Sequence, residues 1–195
     1  ASLDKLQGIL ENIAQGEREK YGFGSNSPEA TAVDESSSFE LSFQAISSTI
    51  RMVSIEGKIQ VNRKKVSTYD FHTLVYDRRE NRLISLSEMF EDAWPNARKT
   101  LADVLEQKIT TQSNERLHSS ESQEFIRARI TNALNSNPQW VLLPGQPNRT
   151  SSGIRFNFAP PPSTPSKDHV YQIDVPVSVF WEFLSADWKQ RFVKP

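Results

Sequence analysis

The apolar positions change period along the chain, and each change marks an element. Leu3, Leu6, Ile9, Leu10 and Ile13 return every three or four residues, which lines them along one helix face ending near Gly22-Phe23-Gly24. From Ser25 to Ser38 no apolar set repeats, and Ser, Glu, Ala and Thr dominate, so this stretch reads as a loop. At Phe39 the period drops to two. Phe39, Leu41, Phe43 and Ala45 alternate with Glu40, Ser42 and Gln44, which predicts a half-buried strand.

A second strand is expected from Ile50 to Ile55, a turn at Glu56-Gly57-Lys58, and a further strand from Ile59 and Val61. Val66 to Tyr76 predicts a long strand. Tyr69, Phe71, Thr73 and Val75 share one of its faces, and Asp70, His72, Leu74 and Tyr76 the other. Asp77 to Asn81 turns the chain. Leu83-Ile84 then leads into a capping box, with Ser85 at the cap and Glu88 reaching back.

Two amphipathic helices follow. The first carries Trp94, Ala97, Leu101, Val104, Leu105 and Ile109 on one stripe, with Pro95 in the first turn, where proline is tolerated. The second carries Phe125, Ile126, Ile130, Ala133 and Leu134, with Ser119, Ser120 and Ser122 as candidate caps. Trp140 to Leu143, Ile154 to Phe158 and Tyr171 to Val175 read as strands. Pro160 to Pro162 and Pro165 interrupt the ladder between the last two, because proline has no N–H to donate. Ser178 is expected to cap a final helix through Phe180, Trp181, Phe183 and Leu184. These elements predict an α+β fold, an antiparallel sheet with helices packed on one face.

At 195 residues the chain suits a single domain, 1–195. It divides into a leading helix and loop (1–38), a core (39–184) and a tail (185–195). Net charge is -1, which supplies no long-range field for nucleic acid or an anionic membrane. The absence of cysteine removes disulfides, thiolate metal sites and cysteine nucleophiles. No apolar run approaches the ~20 residues of a membrane span, so any anchor would lie outside this sequence.

Candidate chemistry is sparse. Asp70 and His72 share a strand face about 7 Å apart, where an acid–base pair and a plain half-exposed face are both readable. With His118 and His169 scattered elsewhere, no metal-ligand spacing or cofactor motif emerges. No serine lies in a nucleophile elbow. Arg63-Lys64-Lys65 and Arg78, Arg79 and Arg82 stand at opposite ends of the long strand, about 35 Å apart. That spacing suits edge charges better than one nucleic-acid surface. Trp188 and Phe192 read either as core or as an exposed contact with the basic residues between them.

Four blocks in order carry a family resemblance: Thr68-Tyr69-Asp70-Phe71, Leu83-Ile84-Ser85-Leu86-Ser87-Glu88-Met89-Phe90, Gly153-Ile154-Arg155-Phe156-Asn157-Phe158 and Ile173-Asp174-Val175-Pro176. Together they resemble a bacterial exported domain of unknown function. It is shared by RsiV-type anti-sigma factor ectodomains, PdaC-type deacetylase accessory domains and secreted mycobacterial antigens. The resemblance implies an exported location, periplasmic, cell-surface or secreted. It also implies a non-catalytic binding module, with lysozyme or a cell-wall component as ligand. This chain departs from the family at Val61 to Val66 and at Pro160 to Pro165, both in loops, where binding specificity resides on such scaffolds. The expected ligand-binding residues are therefore Pro160, Pro161, Pro162, Pro165 and Lys167, with Arg63, Lys64 and Lys65 from the Glu56 to Val66 segment. A stiff proline segment lowers the ordering cost of binding, and it equally serves as a crossover between strands. A secreted hydrolase acting on an ester or glycan, and a structural spacer, are the alternative readings.

Overall fold

Two antiparallel sheets carry the α+β fold, one in the order β1-β2-β3-β4 and one in the order β5-β6-β7. The computed structural model describes residues 2–24, 37–64, 66–116, 121–146, 150–161 and 166–195. Helix α1 (Ser2–Lys20) precedes β1 (Ser38–Ser48), β2 (Met52–Arg63), β3 (Val66–Asp77) and the short β4 (Arg82–Leu83). Most of the expected loop after α1 lies outside the described residues, as do His118, Ser119 and Ser120.

The expected turn at Glu56-Gly57-Lys58 is not formed. β2 runs unbroken through it, pairing Gly57 with Phe43 on one side and His72 on the other. A Cβ on Gly57 would meet Phe43 Cε1 at 2.8 Å and the His72 carbonyl oxygen at 2.9 Å. Gly57 is thus a mid-strand site of close approach, with the Phe43 ring against it. The apolar alternation Val53, Ile55, Gly57, Ile59, Val61 continues across the glycine and contains the correct reading. Ile50, expected to open this strand, lies before it and is exposed.

α1 packs on that same face. Leu6 is buried against Val53, Ile55, Leu74 and Tyr76, with Ile9, Leu10, Ile13 and Phe43 at the margin. Such burial stabilises by roughly 1.5–3 kcal/mol per large side chain, enough to hold a helix that isolated propensity would not.

After β4 the capping box forms as read, but it starts a 3-10 turn. The Glu88 carboxylate accepts from the Ser85 N–H at 2.7 Å and the Ser85 hydroxyl at 2.8 Å, and Leu86–Met89 follows. Helix α2 (Trp94–Arg116) begins after a second such turn, and Ser122 caps α3 (Gln123–Asn135). Both helices cover one face of the second sheet, β5 (Gln139–Pro144), β6 (Ser151–Phe158) and β7 (Tyr171–Pro176). Ala97, Leu101, Leu105 and Ile109 of α2 and Ile126, Ile130 and Leu134 of α3 meet Trp140, Leu142, Ile154, Phe156, Tyr171 and Ile173 in one core. Gly153 belongs to this sheet because a Cβ there would come within 2.3 Å of the Val175 carbonyl oxygen.

β5 is an edge strand, and its outward backbone groups are met by side chains of the first sheet. Trp140 N–H donates to Thr73 Oγ1 at 2.7 Å, and Leu142 N–H to Ser54 Oγ at 3.1 Å. The Thr73 N–H donates to Gln139 Oε1 at 2.7 Å.

The expected final helix is replaced by two 3-10 turns, Val177–Val179 and Trp181–Phe183, and then α4 (Ala186–Lys189). Phe180, at φ -125°, interrupts any α-helical run, and its ring packs edge-on against Phe90 and Phe192. The tail docks: Ser151 N–H donates to Arg191 O, and Val193 N–H to Ser151 O. Trp188 and Phe192 are buried in the core.

Asp77 ends β3 with a fully buried carboxylate. It accepts from Arg51 Nε at 2.8 Å and from the backbone N–H groups of Arg79 and Glu80 at 2.8 and 2.9 Å. Burial alone would raise its pKa; the Glu80 N–H, Arg51 and the Arg79 N–H outweigh burial and hold it below the ordinary carboxylate range.

Two outcomes follow from these contacts. Gly57→Val should cost about 1–3 kcal/mol by overpacking, lowering Tm by several degrees. Adding Phe43→Ala should recover part of that loss in thermal unfolding, while additive losses would show that the ring is not the obstacle. A carboxylate with a depressed folded-state pKa stabilises above its unfolded value, and that stabilisation fades as pH falls below about 4. Asp77→Asn should therefore cost about 3 kcal/mol at pH 7 and flatten the acid limb of a stability–pH curve; an unchanged acid limb would assign acid sensitivity elsewhere.

Candidate functional site

The first sheet leaves its outer strand, β1, beside a groove of about 900 Å³. Alternation within the strands decides what reaches it. Odd positions of β1 and β2 face α1, so Phe39, Leu41, Phe43 and Ile59 line the groove with Ala14 and Arg18 of that helix. Even positions face the second sheet, so Glu40, Ser42, Lys58 and Gln60 line it with Lys167, Val170 and Gln172. Residues from both sides of the sheet contribute. Tyr69, Asp70 and Phe71 of β3 complete the lining.

Beside the groove, the Glu56 carboxylate is buried. It accepts from Gln172 Nε2 at 3.0 Å and lies 3.2 Å from Lys58 Nζ. Gln172 Nε2 also donates to Asn157 Oδ1 at 2.9 Å. This chain of polar groups ties β2 to β7 and β6 where no backbone ladder joins them.

The expected binding residues disperse. Lys167, in a 3-10 turn capped by Ser166, lines the groove and is exposed. Arg63 and Lys64 sit at the β2–β3 hairpin, and Arg63 donates to the Tyr21 carbonyl at the end of α1, 2.8 Å away. Pro160 is buried and Pro161 half-buried. Pro162, Pro165 and Lys65 lie outside the described residues. Arg129 Nη2 donates to Ala159 O and, at 2.9 Å, to His169 O. One guanidinium thus holds both ends of the crossover, which supports its structural role.

Asp70 and His72 serve to hold α1 to the sheet. Asp70 accepts from Lys20 at 2.9 Å and Tyr21 at 2.8 Å, and His72 Nδ1 lies 3.0 Å from Glu17 Oε1. Burial, reinforced by the Asp70 hydrogen bond, pushes the Tyr21 phenol up to about 12. Arg82 pairs with Glu80 and Glu88, and Arg78 donates to Thr49 O and Ser48 Oγ, so these two of the second basic cluster are engaged locally.

A second polar cluster escaped the sequence reading. Glu121, just before α3, lies 2.6 Å from His169 Nδ1 and accepts from the Tyr171 hydroxyl at 3.3 Å. Burial raises the Tyr171 pKa. Its members come from sequence positions about fifty apart, so no local spacing announces them. Among the described residues no group of three or more His, Cys, Asp or Glu could hold a metal ion, and no helix is long and apolar enough to cross a membrane.

No protein-family model matches the chain, and no curated protein matches it. Among solved structures it is similar to a DUF3298 family protein from Pseudomonas aeruginosa PAO1. The TM-score is 0.52 and the identity 15%, over 95% of this chain and 82% of the other. The chain thus has the fold of a bacterial domain of unknown function, the level at which the motif resemblance and the structural likeness agree.

Proposed function

We propose that this chain is a non-catalytic binding module, exported to the bacterial envelope or beyond, whose β1 groove receives a protein or cell-wall ligand. The groove carries this reading. It joins part of the Glu56 to Val66 segment, as Lys58, Ile59 and Gln60, to Lys167 at the end of the proline crossover, beside residues of the outer strand β1. Its lining mixes the aromatic rings of Phe39, Phe43, Tyr69 and Phe71 with cationic and amide groups. Such a mixture suits recognition, with apolar contact area and a few polar groups fixing orientation. The exported location rests on the motif resemblance, and lysozyme sensing of the RsiV type is the first specific case to test.

The test is capture on immobilised protein from lysozyme, peptidoglycan fragments and a bacterial envelope extract, each bound component being identified by mass spectrometry. Saturable capture of one component, weakened severalfold by Lys167→Glu and unaffected by Lys99→Glu on α2, is the expected result. No capture from any source would overturn the module in favour of a spacer. Turnover of an ester or muropeptide abolished by one substitution would overturn its non-catalytic character.

A further inference from the structure

Among the described residues β1 pairs with β2 alone, so along its other edge every second N–H and C=O has no strand partner. Proteins guard such edges with lysine, proline or a bulge. β1 contains neither lysine nor proline, and its register runs unbroken from Ser38 to Ala45 before shifting between Ala45 and Ser47. The buried contacts of α1 fall one strand in from this edge, where Leu6 meets Val53 and Ile55 of β2 and Leu74 and Tyr76 of β3.

The unbroken stretch is its own complement. Laid antiparallel against a copy of itself about a two-fold axis at Leu41, it sets Leu41 opposite Leu41, Phe39 opposite Phe43 and Glu40 opposite Ser42 of the second copy. Phe39, Leu41 and Phe43 share the α1 side and are each half-buried. The pairing therefore extends the apolar rows Phe39–Val61, Leu41–Ile59 and Phe43–Gly57 into those of the second copy. Neighbouring axes fit less well. An axis at Glu40 sets that carboxylate against itself, which like charges oppose; one at Ser42 faces Phe39 with Ala45, and one at Phe43 faces Phe39 with Ser47, beyond the register shift. On the opposite side the cross-strand rows are Glu40–Gln60–Tyr69 and Ser42–Lys58–Phe71, all of them groove residues. The axis at Leu41 joins these rows end to end, placing Glu40 of the second copy beside Ser42, with Lys58 on the next strand.

We propose that two copies of this chain join edge to edge through β1, about a two-fold axis at Leu41. Two four-stranded sheets become one continuous sheet, and the two grooves share a face on which each receives the other copy's Glu40. The occupant is a second copy because the pattern of β1 matches itself, residue against residue, in one register. The proposal goes beyond the binding-module reading, which stands or falls on its own capture experiment. Backbone pairing supplies the affinity, and the apolar row fixes the register. One strand edge is a small contact, so the chain is monomeric at about 1 μM and dimeric at about 100 μM.

Sedimentation velocity of the full chain across that range should show reversible dimerisation. Leu41→Lys sets two like charges against each other on the axis and should weaken the dimer about tenfold. Leu83→Lys, at an exposed position of β4 on the other side of the sheet, should leave it unchanged. The chain has no cysteine, so one introduced thiol reports the axis. Leu41→Cys should cross-link to its copy under mild oxidation, because Cα atoms facing each other across an antiparallel pair lie about 4.5–5.5 Å apart, within disulfide reach. Ala45→Cys should not, since the strand rise puts it about 26 Å from its copy. Circular dichroism verifies that each variant is folded, and the cross-linking comparison stands without Leu41→Lys should that variant fail to fold. A monomer at every concentration, a dimer indifferent to Leu41→Lys, or cross-linking of Ala45→Cys as fast as that of Leu41→Cys would overturn the proposal.

Discussion

The fold depends on how one sheet edge is satisfied by another sheet's face. The outward amides of β5 would be costly if buried unpaired. Thr73 and Ser54 place hydroxyl oxygens against Trp140 N–H and Leu142 N–H, and Gln139 returns an acceptor to the Thr73 N–H. Ser54 is wholly buried, so its hydroxyl is committed to this joint. Once β5 is seated, the second sheet has one face free for α2 and α3, and the first sheet keeps its other face for α1. Two cores follow from one junction.

The same junction produces the groove. Thr73 lies on β3 and Ser54 on β2, so β5 crosses the first sheet where those residues stand and leaves the other half of β1 uncovered. The polar tie from Glu56 through Gln172 to Asn157 joins the two sheets beside the crevice, with Gln172 in its lining. Lys167 lines the groove, and Arg129 gathers Ala159 O and His169 O on either side of the crossover that leads to it. Asp77 plays the matching role at the other end, fixing the β3–β4 turn and drawing in Arg51, with Arg191 of the tail at 3.8 Å. The buried carboxylates of Asp77 and Glu56 each stand beside a cation, Arg51 and Lys58, as desolvation requires.

Much of this was legible where one residue's neighbours along the chain decide its place. The α1 stripe, the alternation of β3, the capping box at Ser85 and the stripe of α2 all depend on local period or local hydrogen bonds. Gly57 misled because glycine signals either a turn or a close approach, and only the Phe43 ring, fourteen positions away, distinguishes the two. Phe180 misled because helical spacing is also the spacing of residues buried by successive 3-10 turns.

What the sequence by itself determined is the class of the fold, the order of its elements and the faces they bury, because side-chain period and backbone geometry are local properties. It also held the four motif blocks whose order pointed to a bacterial domain of unknown function. Only the tertiary structure decided which polar residues act together. Asp70 and His72 became anchors for α1, Pro160 became buried, and Lys58, Lys167 and Gln172 came to share one groove. Those outcomes depend on contacts between residues far apart in the chain, where hydrogen-bond satisfaction and desolvation are settled only once the sheets have met.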